Sequence, residues 1–309
     1  MRPEEHQLLL EKIVSSLDRI ERLLAPNSGA ITQNNSFEEI NIPDGVLDTI
    51  ESPVSECDLV ENFLASKNIQ IKVKKPEDPA DSIIDSLSVF LGDRYSALKG
   101  ILMKIKRSMQ NGAMISENIS KLTQYDIASV CQFCTRLHAI AFLEQYKYYR
   151  SPQYLIHAKT TTLPKAQMFF GGQWLERFTL YKLKQAHLIA QTEADKLIKF
   201  QYLINPQVIL PNGDDFELDI IAIIGDSPLW IEAKSGDYQQ HVQKYSRLAR
   251  QLNLDYSHSM MVLTDAIDNQ CEALSSLFSM TVVNLNTIYD KILDLLRADQ
   301  QKITKVDMP

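Results

Sequence analysis

Three charged side chains sit where an apolar sequence should exclude them. Residues 216–224 read Phe-Glu-Leu-Asp-Ile-Ile-Ala-Ile-Ile, a Gly225-Asp226-Ser227-Pro228 break follows, and residues 229–234 read Leu-Trp-Ile-Glu-Ala-Lys. Two apolar, β-branched runs around a Gly/Pro turn have the pattern of a hairpin. Asp219, Glu232 and Lys234 lie inside those runs, and charges are rarely placed in such surroundings without a use. Strand side chains alternate faces, so Glu232 and Lys234 point the same way and Asp219 on the paired strand can join them. Two carboxylates facing one ammonium repel each other, and a hard divalent cation, Mg²⁺ or Mn²⁺, relieves the repulsion by taking oxygen ligands. The chemistry this suggests is metal-assisted hydrolysis of a phosphodiester. The plainer account is a salt-bridged patch in which Lys234 neutralises Glu232, and it leaves Asp219 unexplained.

The elements that must position these residues follow from the pattern around them. After Pro164 and an irregular stretch ending at Gly171-Gly172, a long helix is expected from 174 to about 200, with Glu176 near its start. Strands are expected at 202–210, 216–224 and 229–234, then a helix over 238–252, a strand at 260–263, a helix over 267–278, a strand at 281–285 and a last helix from 287. This order predicts an α/β domain over residues 164–309, a mixed sheet flanked by helices. The 238–252 helix carries Gln240, Lys244 and Arg247, with Arg250 beyond them, along one side at three and four spacing, a plausible clamp for a phosphate backbone. Val242, Tyr245, Leu248 and Leu252 occupy the opposite, inward side, so an ordinary amphipathic helix satisfies the same pattern.

Residues 53–163 read as a mostly helical domain, with long helices at 95–110 and 124–149. Cys131, Cys134 and His138 fall on one helical face, but no second Cys/His pair completes a zinc tetrahedron and core burial is the simpler reading. Tyr146-Lys147-Tyr148-Tyr149-Arg150 interleaves aromatics and cations as single-strand binders do, and equally suits a helix end covering a domain junction. Residues 26–52 are rich in Asn, Ser, Gly, Pro and acids and read as a linker. Before them, residues 1–25 contain an amphipathic helix with Leu10, Ile13, Leu17, Ile20 and Leu24 at heptad spacing. Two readings stand for residues 4–24: a coiled coil that makes a homodimer, or a helix packed on its own domain.

The 309 residues carry a net charge of −7 and 45% apolar residues, ordinary for a protein with a real core. That charge argues against a coat of basic surface, although local basic stripes can still attract nucleic acid. No apolar run approaches the roughly 18–20 residues of a membrane span, and the N-terminus opens on charges, which reads as a cytoplasmic protein without a membrane partner. Four scattered cysteines do not make a disulfide framework.

Taken together, Asp219, Glu232-Ala233-Lys234 and the α-β-β-β-α-β order resemble the PD-(D/E)xK restriction-like endonuclease superfamily. Gly171-Gly172-Gln173-Trp174-Leu175-Glu176, followed by Glu217-Leu218-Asp219 and Ile231-Glu232-Ala233-Lys234, is similar to the nuclease domain of CRISPR-associated CARF-domain effectors. The resemblance covers residues 167–264. Gln173 departs from the Gly-Gly-Trp-Leu-Glu opening of those effectors, and their CARF sensor has no counterpart in the first half. The Gln-x-x-x-Tyr motif of RecB-like nucleases is not met, because His241 stands four before Tyr245. The resemblance implies that Asp219 and Glu232 hold the metal with the Ala233 carbonyl as a further ligand. It implies that Lys234 holds or helps deprotonate the attacking water, and that Glu176 adds a second metal ligand or a water-orienting base. Glu217 is the spare carboxylate. The expected partner is nucleic acid, DNA ahead of RNA, in defence against foreign nucleic acid. The competing class is a nucleic-acid-binding or assembly protein that keeps the fold without turnover, and metal-dependent cleavage separates the two.

Overall fold

The computed structural model of the chain describes residues 58–76 and 78–306. The amphipathic segment 4–24, with the dimer expected through it, and the linker 26–52 lie outside the described residues.

Helix α1 (Leu59–Ser66) opens on Asp58, whose side chain accepts from the Glu61 N–H, and leads into strand β1 (Gln70–Val73). Then come α2 (Asp81–Asp93), α3 (Tyr95–Asn111), β2 (Ile115–Asn118), α4 (Gln124–Ala139), β3 (Leu143–Tyr149) and β4 (Leu155–Thr160). A short α5 (Pro164–Met168) and a kinked turn (Phe169–Gln173), broken at Gly172, precede the long α6 (Trp174–Glu193). Five strands follow: β5 (Phe200–Ile204), β6 (Gln207–Ile209), β7 (Asp215–Glu217), β8 (Ile220–Ile224) and β9 (Ser227–Lys234). The chain closes with α7 (Val242–Leu252), β10 (Ser259–Leu263), α8 (Asp268–Phe278), β11 (Thr281–Asn284) and α9 (Ile288–Val306).

The expectation of a mostly helical first half needs correction. The helix read over 124–149 stops at Ala139, because Ala141 takes a left-handed φ of 58° that breaks the helical path. The tyrosine-rich segment beyond it suits a strand. In β3, Tyr146 and Tyr148 pack on the core, while Lys147 lies on the other face with its Nζ 4.8 Å from the Tyr149 ring, so the aromatic and cationic side chains are divided between two faces rather than sharing one helical surface. β2, β4 and β3 form an antiparallel sheet in that order. Cys134 is fully buried in the apolar cluster, and burial holds its thiol above the usual range.

The main sheet has the order β11-β10-β9-β8-β5. β11, β10 and β9 run parallel, and the hairpin β8–β9 and the pair β5–β8 are antiparallel. Both faces are covered, as the unbroken apolar runs of β8 and β10 require. Ile220, Ala222, Ile224 and Ile231 feed one cluster with α6 and α9, whereas Ile221, Ile223 and Trp230 feed another with α1 and α7. The first cluster runs continuously from Ile84 to Leu296 and passes through Phe133, Phe170 and Trp174, so packing crosses residues 163 and 164. Fully buried Ile220, Ile221, Trp230 and Ile231 each contribute about 1.5–3 kcal/mol, enough to fix the strands that carry the charges.

A further difference lies in the strands between residues 200 and 234. Three are expected, and five form. β6 and β7 leave the main sheet and pair with β1 in the order β1-β6-β7, so a segment read as part of the first domain supplies a strand here.

Candidate active site

Two corners of the chain meet at the rim of the main sheet. At Asn205-Pro206 the chain leaves β5 for β6, and at Leu218-Asp219 it returns from β7 to β8. The corners are stitched by the Asn205 N–H donating to the Asp219 carbonyl at 3.0 Å and the Leu218 N–H donating to the Pro206 carbonyl at 3.2 Å. Asp219 therefore stands at a bend immediately before β8, not inside a continuous strand as the 216–224 run suggests. The run is divided because β7 pairs with β6 while β8 pairs with β9 and β5. Ile220 faces Ile231 in the hairpin, which sets Asp219 opposite Glu232 one step beyond.

The three charges converge. Lys234 Nζ lies 2.9 Å from Asp219 Oδ2 and 3.0 Å from Glu232 Oε2. Asp219 Oδ2 also accepts from the Ala233 N–H at 2.8 Å. Glu232 Oε1 accepts from the Trp230 indole at 3.1 Å and from the Asp219 N–H at 3.3 Å. Glu232 and Asp219 are 1% and 5% exposed, so these bonds are what make their burial tolerable. Lys234, partly exposed, is the member of the trio that reaches solvent. Its ammonium also sits 5.5 Å from the Tyr245 ring.

The electrostatics are those of crowded acids. Burial, then the Asp219 charge, pushes the Glu232 carboxyl up to about 8 against the pull of Lys234. Burial works against the Lys234 ammonium too, but the Glu232 and Asp219 charges outweigh it and hold Lys234 above the ordinary lysine value. Tyr245, buried and facing Glu232, is raised to about 12.

Glu176 comes to the same place from the first turn of α6. Its Oε2 accepts from Asn205 Nδ2 at 2.8 Å. Burial and then the Asp219 charge raise its carboxyl to about 7, while the Asn205 bond and Lys234 oppose the rise. Gly172, just before α6, makes the turn that leads into this approach. Gly172 has φ 151°, open to glycine alone, and a Cβ there would meet Ser235 Oγ at 3.5 Å, next to Lys234. Trp174, fully buried, stacks on Tyr95 with centroids 5.6 Å apart. Arg177, one residue past Glu176, forms ion pairs with Asp81 and Asp85 of α2 and anchors the same turn.

Other expected residues are placed differently. Glu217 is exposed on β7 in the small sheet and so does not share a strand with Asp219, although its charge is felt by Glu176. α7 begins at Val242 rather than at 238, and Gln240 lies in the turn before it. Lys244 and Arg247 are exposed on α7, with Lys244 Nζ 4.2 Å from the Phe216 ring. Gln240 thus does not belong to one helical row with Lys244 and Arg247. Asn205 is the residue that sequence reading missed; an Asn-Pro pair at a strand end signals a corner, but its contacts come from distant segments.

The donor set bears on metal binding. Among the described residues, no group of three or more His, Cys, Asp and Glu side chains is arranged to hold an ion alone. Asp219 and Glu232 present two carboxylates of hard oxygen, and Mg²⁺ is commonly held by one or two carboxylates with water and substrate phosphate completing the shell. The raised Glu232 and Glu176 carboxyls mark an excess of negative charge that a dication would relieve. The residues present fit such an ion.

Neither a family model nor a curated protein matches the sequence. Among solved structures, the fold is similar to that of protein VC1899 from Vibrio cholerae, at 16% identity and a TM-score of 0.50, covering 78% of this chain and 61% of that one. It is also similar to Can2 from Sulfobacillus thermosulfidooxidans, solved in complex with cyclic tetra-adenylate, at 12% identity and a TM-score of 0.51, covering 77% of this chain and 60% of that one. The chain spans about three fifths of the length of these two proteins. Residues 164–309 are under half of this chain, so a likeness covering 78% of it extends well into the first half. At these identities the likeness speaks for the fold. Among the described residues, no helix is long and apolar enough to cross a membrane.

Proposed function

We propose that this protein is a metal-dependent nuclease of the PD-(D/E)xK type that hydrolyses phosphodiester bonds, in DNA ahead of RNA, as part of defence against foreign nucleic acid. The observation that carries the reading is the Lys234 ammonium bonded to both buried carboxylates, Asp219 and Glu232, at the rim of the sheet. The defence assignment is supported by the resemblance to CRISPR-associated effectors over residues 167–264 and by the fold likeness to Can2.

In this reading Asp219 and Glu232 hold Mg²⁺ or Mn²⁺, with the Ala233 carbonyl as a further ligand. The ion, when bound, polarises the scissile phosphate and lowers the pKa of a water. Lys234, kept charged by its two acidic neighbours, donates to the attacking water and to the phosphate oxygens as negative charge develops on them. Glu176, brought beside Asp219 from the first turn of α6, would add a carboxylate oxygen to the ion's shell and orient the water whose proton it takes. The water oxygen forms the new bond to phosphorus as the phosphorus–ester oxygen bond breaks, and the leaving oxygen takes a proton from solvent. Lys244 and Arg247 on the exposed side of α7 contact the phosphate backbone.

The test is cleavage of single- and double-stranded DNA and RNA by the full-length protein with Mn²⁺ or Mg²⁺. Asp219→Ala, Glu232→Ala and Lys234→Ala each abolish it. Activity surviving all three substitutions would refute the site.

A further inference from the structure

Among the described residues, Asn205 is the one bonded to both Glu176 and Asp219. Its side-chain amide donates to Glu176 Oε2 at 2.8 Å and its backbone N–H donates to the Asp219 carbonyl at 3.0 Å. It does so from a left-handed backbone, φ 51°, at the corner where the chain changes sheets. That conformation is strained for most side chains and mild for asparagine. Its other amide atom, Oδ1, is buried without a hydrogen-bond partner. A left-handed corner alone would be made as well by glycine. What the asparagine adds is an amide whose Nδ2 is aimed at a carboxylate.

We infer that Asn205 is a positioning residue: it fixes the Glu176 carboxylate against Asp219, so that α6 and the β7–β8 corner present their acids to one ion and one water. The inference rests on the nuclease reading above and deepens it, because no residue outside the acid-lysine set is otherwise assigned to orient Glu176. The chemistry asked of Asn205 is narrow. It must be a neutral donor of this length on a left-handed backbone, since a carboxylate there would repel Glu176 and a hydrocarbon would leave it free to rotate.

Two substitutions of Asn205 separate this role from a structural one. Asn205→Gly keeps the left-handed corner and the N–H bond to Asp219 and removes only the amide. Asn205→Asp keeps the shape and the tolerance for positive φ, and replaces the donor by an acid. If Asn205 acts through Glu176, Asn205→Gly lowers kcat about 10–100-fold with KM within about twofold, and Asn205→Asp is at least as damaging. Combining Asn205→Gly with Glu176→Ala is then no slower than Glu176→Ala alone, as for groups acting in one step. The Mn²⁺-induced rise in Tm of the full-length protein, read without substrate, shrinks in Asn205→Gly as it does in Glu176→Ala. Wild-type activity and a wild-type Mn²⁺ response in Asn205→Gly would overturn the inference, as would full activity of Asn205→Asp or an equal fold-loss with and without Glu176. If the unsubstituted protein neither cleaves nor responds to Mn²⁺, the nuclease reading itself fails and this inference goes with it.

Discussion

Lys234 donates to Asp219 across 2.9 Å, from the last residue of β9 to a bend just outside β8. The contact exists because the β7 and β8 segments belong to different sheets, which turns the Asp219 carboxylate toward the hairpin rim. The same ammonium is 3.0 Å from Glu232, which is 1% exposed. Removing one partner of a buried pair leaves an uncompensated charge. Lys234→Met therefore destabilises the metal-free protein by about 2 kcal/mol in urea unfolding, less than a fully trapped charge would cost because Glu232 can take up a proton. Added Mn²⁺ restores part of the loss.

The pH dependence of stability has a definite sign. Glu176 and Glu232 have folded values of about 7 and about 8, both above the ordinary 4.5. Between those limits the folded state binds more protons than the unfolded one, so metal-free stability falls as pH rises from about 5 to about 8. Glu176→Gln, which keeps the acceptor for Asn205 and removes the charge, raises the metal-free Tm at pH 8 by an amount equivalent to about 1–3 kcal/mol. The Mn²⁺-induced gain in Tm has the opposite trend and grows from pH 6 to pH 8, because ligands must lose protons to bind. Thermal unfolding across this range, with Mn²⁺ and with a chelator, checks both slopes.

A second titrating device ties the last helix to the sheet. His258 Nδ1 lies 2.8 Å from Asp255 and Nε2 lies 2.9 Å from Asp299 of α9. The bond to Asp299 raises the His258 pKa against the effect of burial. Its contribution is full below the unfolded value of 6.5 and is lost as pH rises through the folded one. His258→Gln should cost about 1–3 kcal/mol at pH 6 and little at pH 9. Hydrogen exchange in residues 288–302 reports the release of α9. An equal loss at both pH values would count against a charged histidine.

Two glycines in neighbouring helices should respond oppositely to alanine. At Gly92 of α2 an added Cβ would overlap the Phe178 ring of α6, whereas at Gly100 of α3 it meets open space. Gly92→Ala should cost about 1–3 kcal/mol through overpacking, while Gly100→Ala, exposed in a helix interior, should stabilise by about 0.5–1 kcal/mol. Urea unfolding of the two variants is the check. Because α6 carries Glu176, the first variant should also lose activity.

The acid-lysine trio was legible in the amino-acid order because Asp219, Glu232 and Lys234 interrupt apolar runs, and the period-two rule then brings them together. Glu176 was legible through its place at the start of the 174–200 helix and through the resemblance of residues 171–176 to a Gly-Gly-Trp-Leu-Glu opening. The bend at Asp219 was not, since residues 216–224 carry an unbroken strand-like pattern and only pairing with β6 and β1 divides it. Residues 143–149 were misread for a related reason: the apolar spacing of α4 runs on past Ala139, and the left-handed Ala141 gives no local signal. Asn205 was out of reach because its two partners lie 29 and 14 residues away and on different elements.

Asp219, Glu232 and Lys234 are proposed to catalyse phosphodiester hydrolysis with a divalent ion. The most direct measurement compares the full-length protein with Lys234→Ala on labelled single- and double-stranded DNA and RNA, in Mn²⁺, Mg²⁺ and a chelator. Cleavage by the unsubstituted protein is expected to require the ion and to fall at least about 100-fold in Lys234→Ala. Cleavage of equal rate by both proteins, or cleavage undiminished in the chelator, would contradict the proposal.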